Sequence, residues 1–213
     1  MTRLEIISDP ICPWCYIGVT RLMKAIEARP HYEFALNWRP YQLNPGMPFE
    51  GMDRKKYLID KFGGQEGAVR VYSQIEQAAK DTGLNIDFGS IKRTPNTLNA
   101  LRLIHWAAAE RVQTPVAMSL FRAYFHEGRD IGDSDTLADI ADSCGMDRAV
   151  IRKLLDGDAD AHEVHNDSLA ARDMGVTGVP TFILGGKYAL SGAQPVDTWT
   201  KLIDELTAAI AAS

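Results

Sequence analysis

Cys12-Pro13-Trp14-Cys15 carries the most evident chemistry in this chain. Two thiols three residues apart on a helix share one face, with β-carbons about 5–6 Å apart, and a disulfide needs α-carbons within roughly 4.4–6.8 Å. Such a pair can close and open without moving the backbone. Pro13 suits the first helical position, where its missing N–H would be unpaired anyway, and Ile17, Leu22 and Ile26 carry an apolar stripe as far as Pro30. Cys12 then falls at a helix N-terminus, where free N–H groups and the macrodipole favour negative charge, so a lowered thiol pKa is expected there. The thiolate is the attacking form. Cys12 is therefore read as the nucleophile, and Cys15, one turn further in and more buried, as the thiol that resolves a mixed disulfide.

Other uses of the pair fit less well. The chain has three cysteines, the third being Cys144, and a disulfide scaffold needs a larger even set in a shorter chain. A zinc site would need further ligands, and the sequence offers only Cys144 and five scattered histidines, with no second CxxC. No metal is expected. The surroundings favour redox use. Residues 3–8 read as a short buried strand broken by Ser8-Asp9-Pro10, the cysteine helix follows, and Phe34, Leu36 and Trp38 alternate as a second strand stopped near Pro40. Strand, CxxC, helix and strand form a βαβ unit, which favours a parallel pair and is the setting of a thioredoxin-like redox motif.

The elements that must hold this site extend over 213 residues, enough for one enlarged domain or a core with a large insertion. With 28 acidic against 23 basic residues the net charge is −5, which argues against nucleic acid as a partner. No window approaches 18 consecutive apolar residues, so no membrane span is expected. The chain enters the β-like run Leu4-Glu5-Ile6-Ile7 directly after Met-Thr-Arg, without the pattern of an export signal, and a cytoplasmic location is the expectation.

From Asn44 a Pro/Gly/Met-rich connection leads into a long stretch with no convincing strand. Helices are expected over about 53–62, 65–82, 95–111, 115–126, 134–144 and 147–155, with Thr94 capping before Pro95, Thr114 before Pro115, and Gly145 stopping the helix after Cys144. A further helix runs from about 160 to Met174-Gly175. Thr181-Phe182-Ile183-Leu184 and Lys187-Tyr188-Ala189-Leu190, joined by Gly185-Gly186, carry a β-hairpin signal, and an amphipathic helix over about 196–211 closes the chain. The fold class is α/β: residues 1–43 and 161–213 form the α/β part, and residues 44–160 a helical insertion.

Ser8-Asp9-Pro10-Ile11-Cys12-Pro13-Trp14-Cys15-Tyr16-Ile17-Gly18, the helical insertion, and Gly178-Val179-Pro180-Thr181-Phe182 together resemble the DsbA-like branch of the thioredoxin superfamily, and within it the FrnE-like cytosolic dithiol-disulfide oxidoreductases and isomerases. The resemblance spans nearly the whole chain. It implies a thioredoxin-like fold with a large all-helical insertion, a protein or peptide disulfide substrate, Cys12 attacking and Cys15 resolving, and a cis proline at Pro180 facing the cysteines. Pro13, Trp14, Val179 and Pro180 would then face the substrate. No cofactor is required, although glutathione or another small thiol would serve as redox partner, and a homodimer is compatible with the resemblance. Two departures matter. Pro-Trp replaces the Pro-His of strongly oxidising relatives, which implies a potential between about −270 mV for thioredoxin and about −120 mV for DsbA. No second cysteine pair follows near the C-terminus, so no internal relay operates.

The same fold family holds glutathione-dependent enzymes resembling 2-hydroxychromene-2-carboxylate isomerase and kappa-class glutathione transferase, which use a serine near the first-cysteine position. The presence of both Cys12 and Cys15 argues against that chemistry, but Thr94-Pro95-Asn96-Thr97 is similar to the segment lining the cleft of those isomerases, so Asn96 and Thr97 are candidate cleft residues. A non-enzymatic peptide-binding or holdase role is the third reading. Among other reactive side chains, Cys144 reads as a small buried hydrophobe. His162 and His165 read as a solvated pair, Asp130, Asp133 and Asp135 as a capping loop, Asp9 as a cap or turn residue with electrostatic tuning of the thiols as the alternative, and Trp106 and Tyr124 as core of the insertion.

Overall fold

The computed structural model describes residues 2–211. Its main sheet has four strands, built from β1 (Thr2–Ser8), β2 (Phe34–Pro40), β5 (Thr181–Leu184) and β6 (Tyr188–Ser191) in the order β2-β1-β5-β6. Strand β1 pairs parallel with β2, setting Leu4 opposite Leu36 and Ile6 opposite Trp38, and antiparallel with β5. Being central, β1 is buried on both faces: Leu4 and Ile6 join the large core, while Ile7 packs with Tyr41, Ala171 and Val176 on the other side. That is the period-2 alternation of a strand put to use twice. Glu5, only 8% exposed, is held between Arg3 (2.9 Å) and Arg39 (3.1 Å).

Helix α1 (Pro13–Glu27) follows β1 and buries Ile17, Val19 and Leu22, with Cys12 as its N-cap and Pro13 at its start. Gly18, inside this helix, is there for close approach. A Cβ at that position would stand 2.9 Å from Pro180 Cγ and 3.1 Å from Ala193 Cα, so the helix lies directly on the loop that precedes β5. Three residues, Gly185, Gly186 and Lys187, join β5 to β6, and the two glycines at positive φ (56° and 70°) are the central residues of the turn that Lys187 N–H closes on Leu184 O (3.0 Å). Helix α9 (Val196–Ala211) packs along α1, and its Trp199 meets Phe182 edge-on at 4.8 Å.

Between β2 and α8 (Ala161–Asp173) lie α2 (Arg54–Phe62), α3 (Gln65–Asp81), α4 (Leu98–Trp106), α5 (Gln113–Phe125), α6 (Ser134–Ser143) and α7 (Arg148–Asp156). One cluster of buried side chains runs without a break from Leu4 and Ile6 through Tyr16 and Leu22 to Leu103, Phe121, Phe125 and Leu137. Three expectations about this region need correction. It is not strand-free, because β3 (Met52–Asp53) and β4 (Arg93–Thr94) form a short antiparallel pair. Thr94 therefore belongs to a strand, and α4 starts only at Leu98, whose N–H is met by Asn96 Oδ1 (2.9 Å). Helix α5 begins at Gln113, and Thr114 does not cap it. The Gln113 amide instead pairs with the backbone of Trp38 on the edge strand, and the Thr114 hydroxyl accepts from Trp38 Nε1 (2.9 Å). An edge strand leaves unpaired backbone groups, and here they recruit the helix start that the sequence pattern assigned to capping.

Candidate active site around the cysteine pair

The turn that delivers Cys12 is fixed by Asp9. Its backbone carbonyl accepts from Cys12 N–H (3.0 Å), and its carboxylate accepts from Ile11 N–H (3.1 Å), Leu43 N–H (2.7 Å) and the Thr97 hydroxyl (3.3 Å). A residue expected to cap or turn, or to tune the thiols, thus ties the cysteine loop to the segment after β2 and to the helical region. Asp9 is fully buried, and that burial raises its pKa from 3.8 to about 6, against the lowering influence of those hydrogen bonds and of the Lys61 charge.

The sign of the linkage follows. The folded state holds this proton more tightly than the unfolded chain, so its contribution to stability is complete below about pH 3.8 and is lost as pH rises through about 6. The size is on the order of 3 kcal/mol. We predict that the stability of the wild type minus that of Asp9→Asn, from urea unfolding at a series of pH values, falls by roughly this amount between pH 4 and 7. A difference independent of pH would contradict the assignment.

Both cysteines are free thiols, Cys12 4% exposed and Cys15 fully covered. The Cys12 carbonyl accepts from Cys15 N–H (3.1 Å) and Tyr16 N–H (3.2 Å), starting the helix, and the Cys12 thiol points across at Val179 O, 3.6 Å away. The Val179–Pro180 peptide is cis. Burial holds the Cys15 thiol well above its ordinary pKa, and the Cys12 sulfur beside it pushes the same way. The Ser8 hydroxyl and the Asp9 backbone N–H oppose this. Ser8 Oγ is itself buried without a hydrogen bond of ordinary geometry, which leaves it available to a developing charge on Cys15.

Cys12, Pro13, Trp14 and Val179 line one cleft of about 250 Å³, with Gly178 on the same wall. Pro180 supports this wall from behind by packing on Gly18. The same cleft is lined by residues of the helical region that the sequence alone did not single out for the site, Arg54, Tyr57, Lys61 and Tyr72. Arg54 sits in a charged run, Asp53-Arg54-Lys55-Lys56, that reads as a solvated helix start. Only the fold turns it inward, to Tyr124 Oη and Tyr72 Oη, both at 2.8 Å. Tyr124 is buried as expected and also reaches this cleft, with its pKa pushed up by burial.

Asn96 and Thr97 do not line this cleft, and neither is free to. The Asn96 amide donates to Met47 O (2.7 Å) and meets Gln42 (3.3 Å), while Thr97 is buried against Asp9. Thr94, from the same segment, is the residue that reaches the cleft. Cys144 is the C-cap of α6, half-buried against the main core with Sγ 3.5 Å from Ser119 Oγ, so it packs as a small hydrophobe but is less covered than expected. His165 is half-buried on Gln42 Oε1 (3.1 Å), so it forms no solvated pair with His162. Asp133 caps α6 as expected, and Trp106 is only half-buried, donating to Asp160 Oδ2 (2.7 Å). Among the described residues, His105, Asp160 and Glu163 bring ligand-type atoms within 4.8 Å of one another, a group that shares no residue with the cysteine cleft. No helix among the described residues is long and apolar enough to cross a membrane.

A family model described as the DSBA-like thioredoxin domain matches residues 3–204. A probable DsbA oxidoreductase from Streptomyces coelicolor is similar in structure, with a TM-score of 0.85 at 31% identity over 96% of this chain and 89% of that one. The cytosolic disulfide reductase DsbM from Pseudomonas aeruginosa, solved with GSH, has a TM-score of 0.70 at 18% identity over 96% of this chain and 98% of its own. YwbO from Bacillus subtilis is 26% identical over 205 residues, 95% of this chain and 96% of that protein.

Proposed function

Because the chain belongs to the DsbA-like thioredoxin domain family, we propose that it is a thiol–disulfide oxidoreductase in which Cys12 attacks and Cys15 resolves. One observation carries this reading: Cys12 caps α1 with its sulfur 3.6 Å from the Val179 carbonyl in the lining of a small cleft, while Cys15 is fully buried next to it.

In the reductive direction, the Cys12 thiolate attacks one sulfur of a substrate disulfide. That S–S bond breaks, a mixed disulfide forms on Cys12, and the first substrate sulfur leaves as a thiolate and takes up a proton. Cys15 then loses its proton and attacks Cys12 Sγ, which forms the Cys12–Cys15 disulfide and releases the second substrate thiol. Two electrons and two protons pass from protein to substrate. A small thiol such as glutathione returns the protein to its dithiol form by the reverse exchange, a role suggested by the GSH bound to the structurally similar DsbM. A disulfide with a flexible peptide on each side suits the cleft, and a cytoplasmic site of action agrees with that relative's description.

The raised Cys15 pKa suits the second step being slow until a mixed disulfide sits next to it. Replacing Cys15 with serine is therefore expected to stop the reaction at that mixed disulfide. Cys15→Ser protein exposed to oxidised glutathione or to a disulfide-bonded peptide should gain the mass of one substrate half, located on Cys12 by peptide mapping and released by reductant. Absence of any adduct, while the wild type turns over, would contradict the assigned order of the two thiols.

A further inference from the structure

We propose that the cleft beside Cys12 holds a carboxylate-binding subsite formed by Arg54 and Lys61, and that the disulfides it takes best carry a carboxylate within a few bonds of the reacting sulfur. This rests on the redox reading of the same cysteines. Arg54 is 6% exposed, and neither it nor Lys61 takes part in any ion pair among the described residues. The guanidinium donates to two tyrosine hydroxyls and lies over both of their rings, 5.4 Å from the Tyr72 centroid and 5.7 Å from that of Tyr124. Hydroxyls and ring faces hold such a cation in place but leave its charge unneutralised, and an unpaired buried charge is costly.

Every other feature of the cleft points the same way. Lys61, on the next turn but one of the same helix, donates to Tyr57 Oη (2.6 Å) and adds a second positive charge to the lining. Among the described residues no Asp or Glu lines this cleft, although the chain as a whole is acidic, and the buried Asp9 carboxylate, which feels the Lys61 charge, is already held by the Ile11 and Leu43 N–H groups and the Thr97 hydroxyl. Thr94 contributes a buried hydroxyl without a hydrogen-bond partner of ordinary geometry. At about 250 Å³ the space suits a few residues of an extended substrate or a small free disulfide, not a folded surface. An incoming carboxylate would meet a guanidinium with spare donors, the pairing for which arginine geometry is suited, and would be fixed in the cleft that Cys12 also lines.

The test compares charged and neutral forms of one substrate. The reduced protein is given oxidised glutathione or its tetraethyl ester, and separately the symmetric disulfides of acetyl-Ala-Glu-Cys-Ala-amide or acetyl-Ala-Gln-Cys-Ala-amide. The charged form is expected to have about tenfold higher kcat/KM in at least one pair, expressed mainly in KM and shrinking with added salt. Preference within the glutathione pair identifies a free small thiol as the source, and preference within the peptide pair an acidic peptide. Arg54→Gln should bring the ratio to within about twofold, and Arg54→Lys should recover part of it. Lys61→Ala, at an exposed position that does not threaten folding, should lower the ratio by a smaller factor. Equal rates on charged and neutral forms, or a preference untouched by both Arg54→Gln and Lys61→Ala, would overturn the subsite while leaving the redox reading intact. Failure to reduce any of the four probes would instead overturn the redox reading, and the subsite with it.

Discussion

Cys12→Ser protein is expected to lose disulfide reductase activity by roughly three orders of magnitude or more, because no other thiol is placed to start the exchange. Cys15 is fully covered and held protonated by its surroundings, and Cys144 sits at the end of α6, outside the cleft. The fold itself should barely notice the change. The Cys12 sulfur makes only weak polar contacts, to Val179 O and to the Cys15 thiol, so stability in urea should stay within about 1 kcal/mol of wild type. Turnover of oxidised glutathione or a peptide disulfide, coupled to an external thiol reductant, gives the rate. A Cys12→Ser protein retaining a tenth or more of wild-type activity would move the attack to another residue. Cys144→Ser, assayed alongside, should behave as wild type.

The largest loss of stability is expected from Arg102→Ala. Arg102 is 2% exposed, and its guanidinium donates to the carbonyls of Ala159 (2.7 Å), Leu154 (2.8 Å) and Gly157 (2.9 Å) and to Asn99 Oδ1 (2.8 Å). It also lies over the Trp106 ring at 4.9 Å. These bonds join α4 to the connection between α7 and α8, and α4 itself packs on β2 and α8. Truncation would remove the donor of three carbonyls at the end of α7 and beyond it, leave the buried Asn99 side chain without its partner and open a cavity in their midst, at a cost of about 3–5 kcal/mol. For a chain of this size that lowers Tm by about 6–20 °C. Arg102→Lys should recover little, since one ammonium cannot reach carbonyls spread around a planar fork. Thermal unfolding followed by circular dichroism measures both, and a shift under about 1 kcal/mol for Arg102→Ala would show that the network contributes no more than an exposed one.

How far the sequence reveals this molecule depends on the range of the interaction involved. The Cys12-Pro13-Trp14-Cys15 helix start and the Gly185-Gly186 hairpin are legible because each is set by residues a few positions apart, and the β1–β2 pair, although Thr2 meets Phe34, because a single helix between two strands favours a parallel crossover. The starts of α4 and α5 are not. Thr94 and Thr114 have the right residue type before a proline, but a ladder partner at Met52 claims the one and the indole of Trp38 the other, and neither partner is near in sequence. The same holds for the site. The thiols announce themselves by spacing, whereas Arg54 enters the cleft only because α2 folds across it, and Asp9 becomes a buried clamp only when Leu43 and Thr97 arrive. In the segment 94–97 the cleft residue is Thr94, which the sequence pattern assigns to a helix cap, and not Asn96 or Thr97, whose polar groups are spent on the backbone and on Asp9.

The pairing of Cys12 with Cys15 as a working redox couple is tested most directly by its reduction potential. The protein is equilibrated with graded ratios of reduced to oxidised glutathione, quenched with a thiol-blocking reagent, and weighed intact by mass spectrometry. The account predicts one reversible two-electron transition between dithiol and Cys12–Cys15 disulfide, with a midpoint between about −270 and −120 mV, and no such transition when either cysteine is replaced by serine. A pair that takes up two blocking groups at every ratio, never forming the internal disulfide, would contradict it.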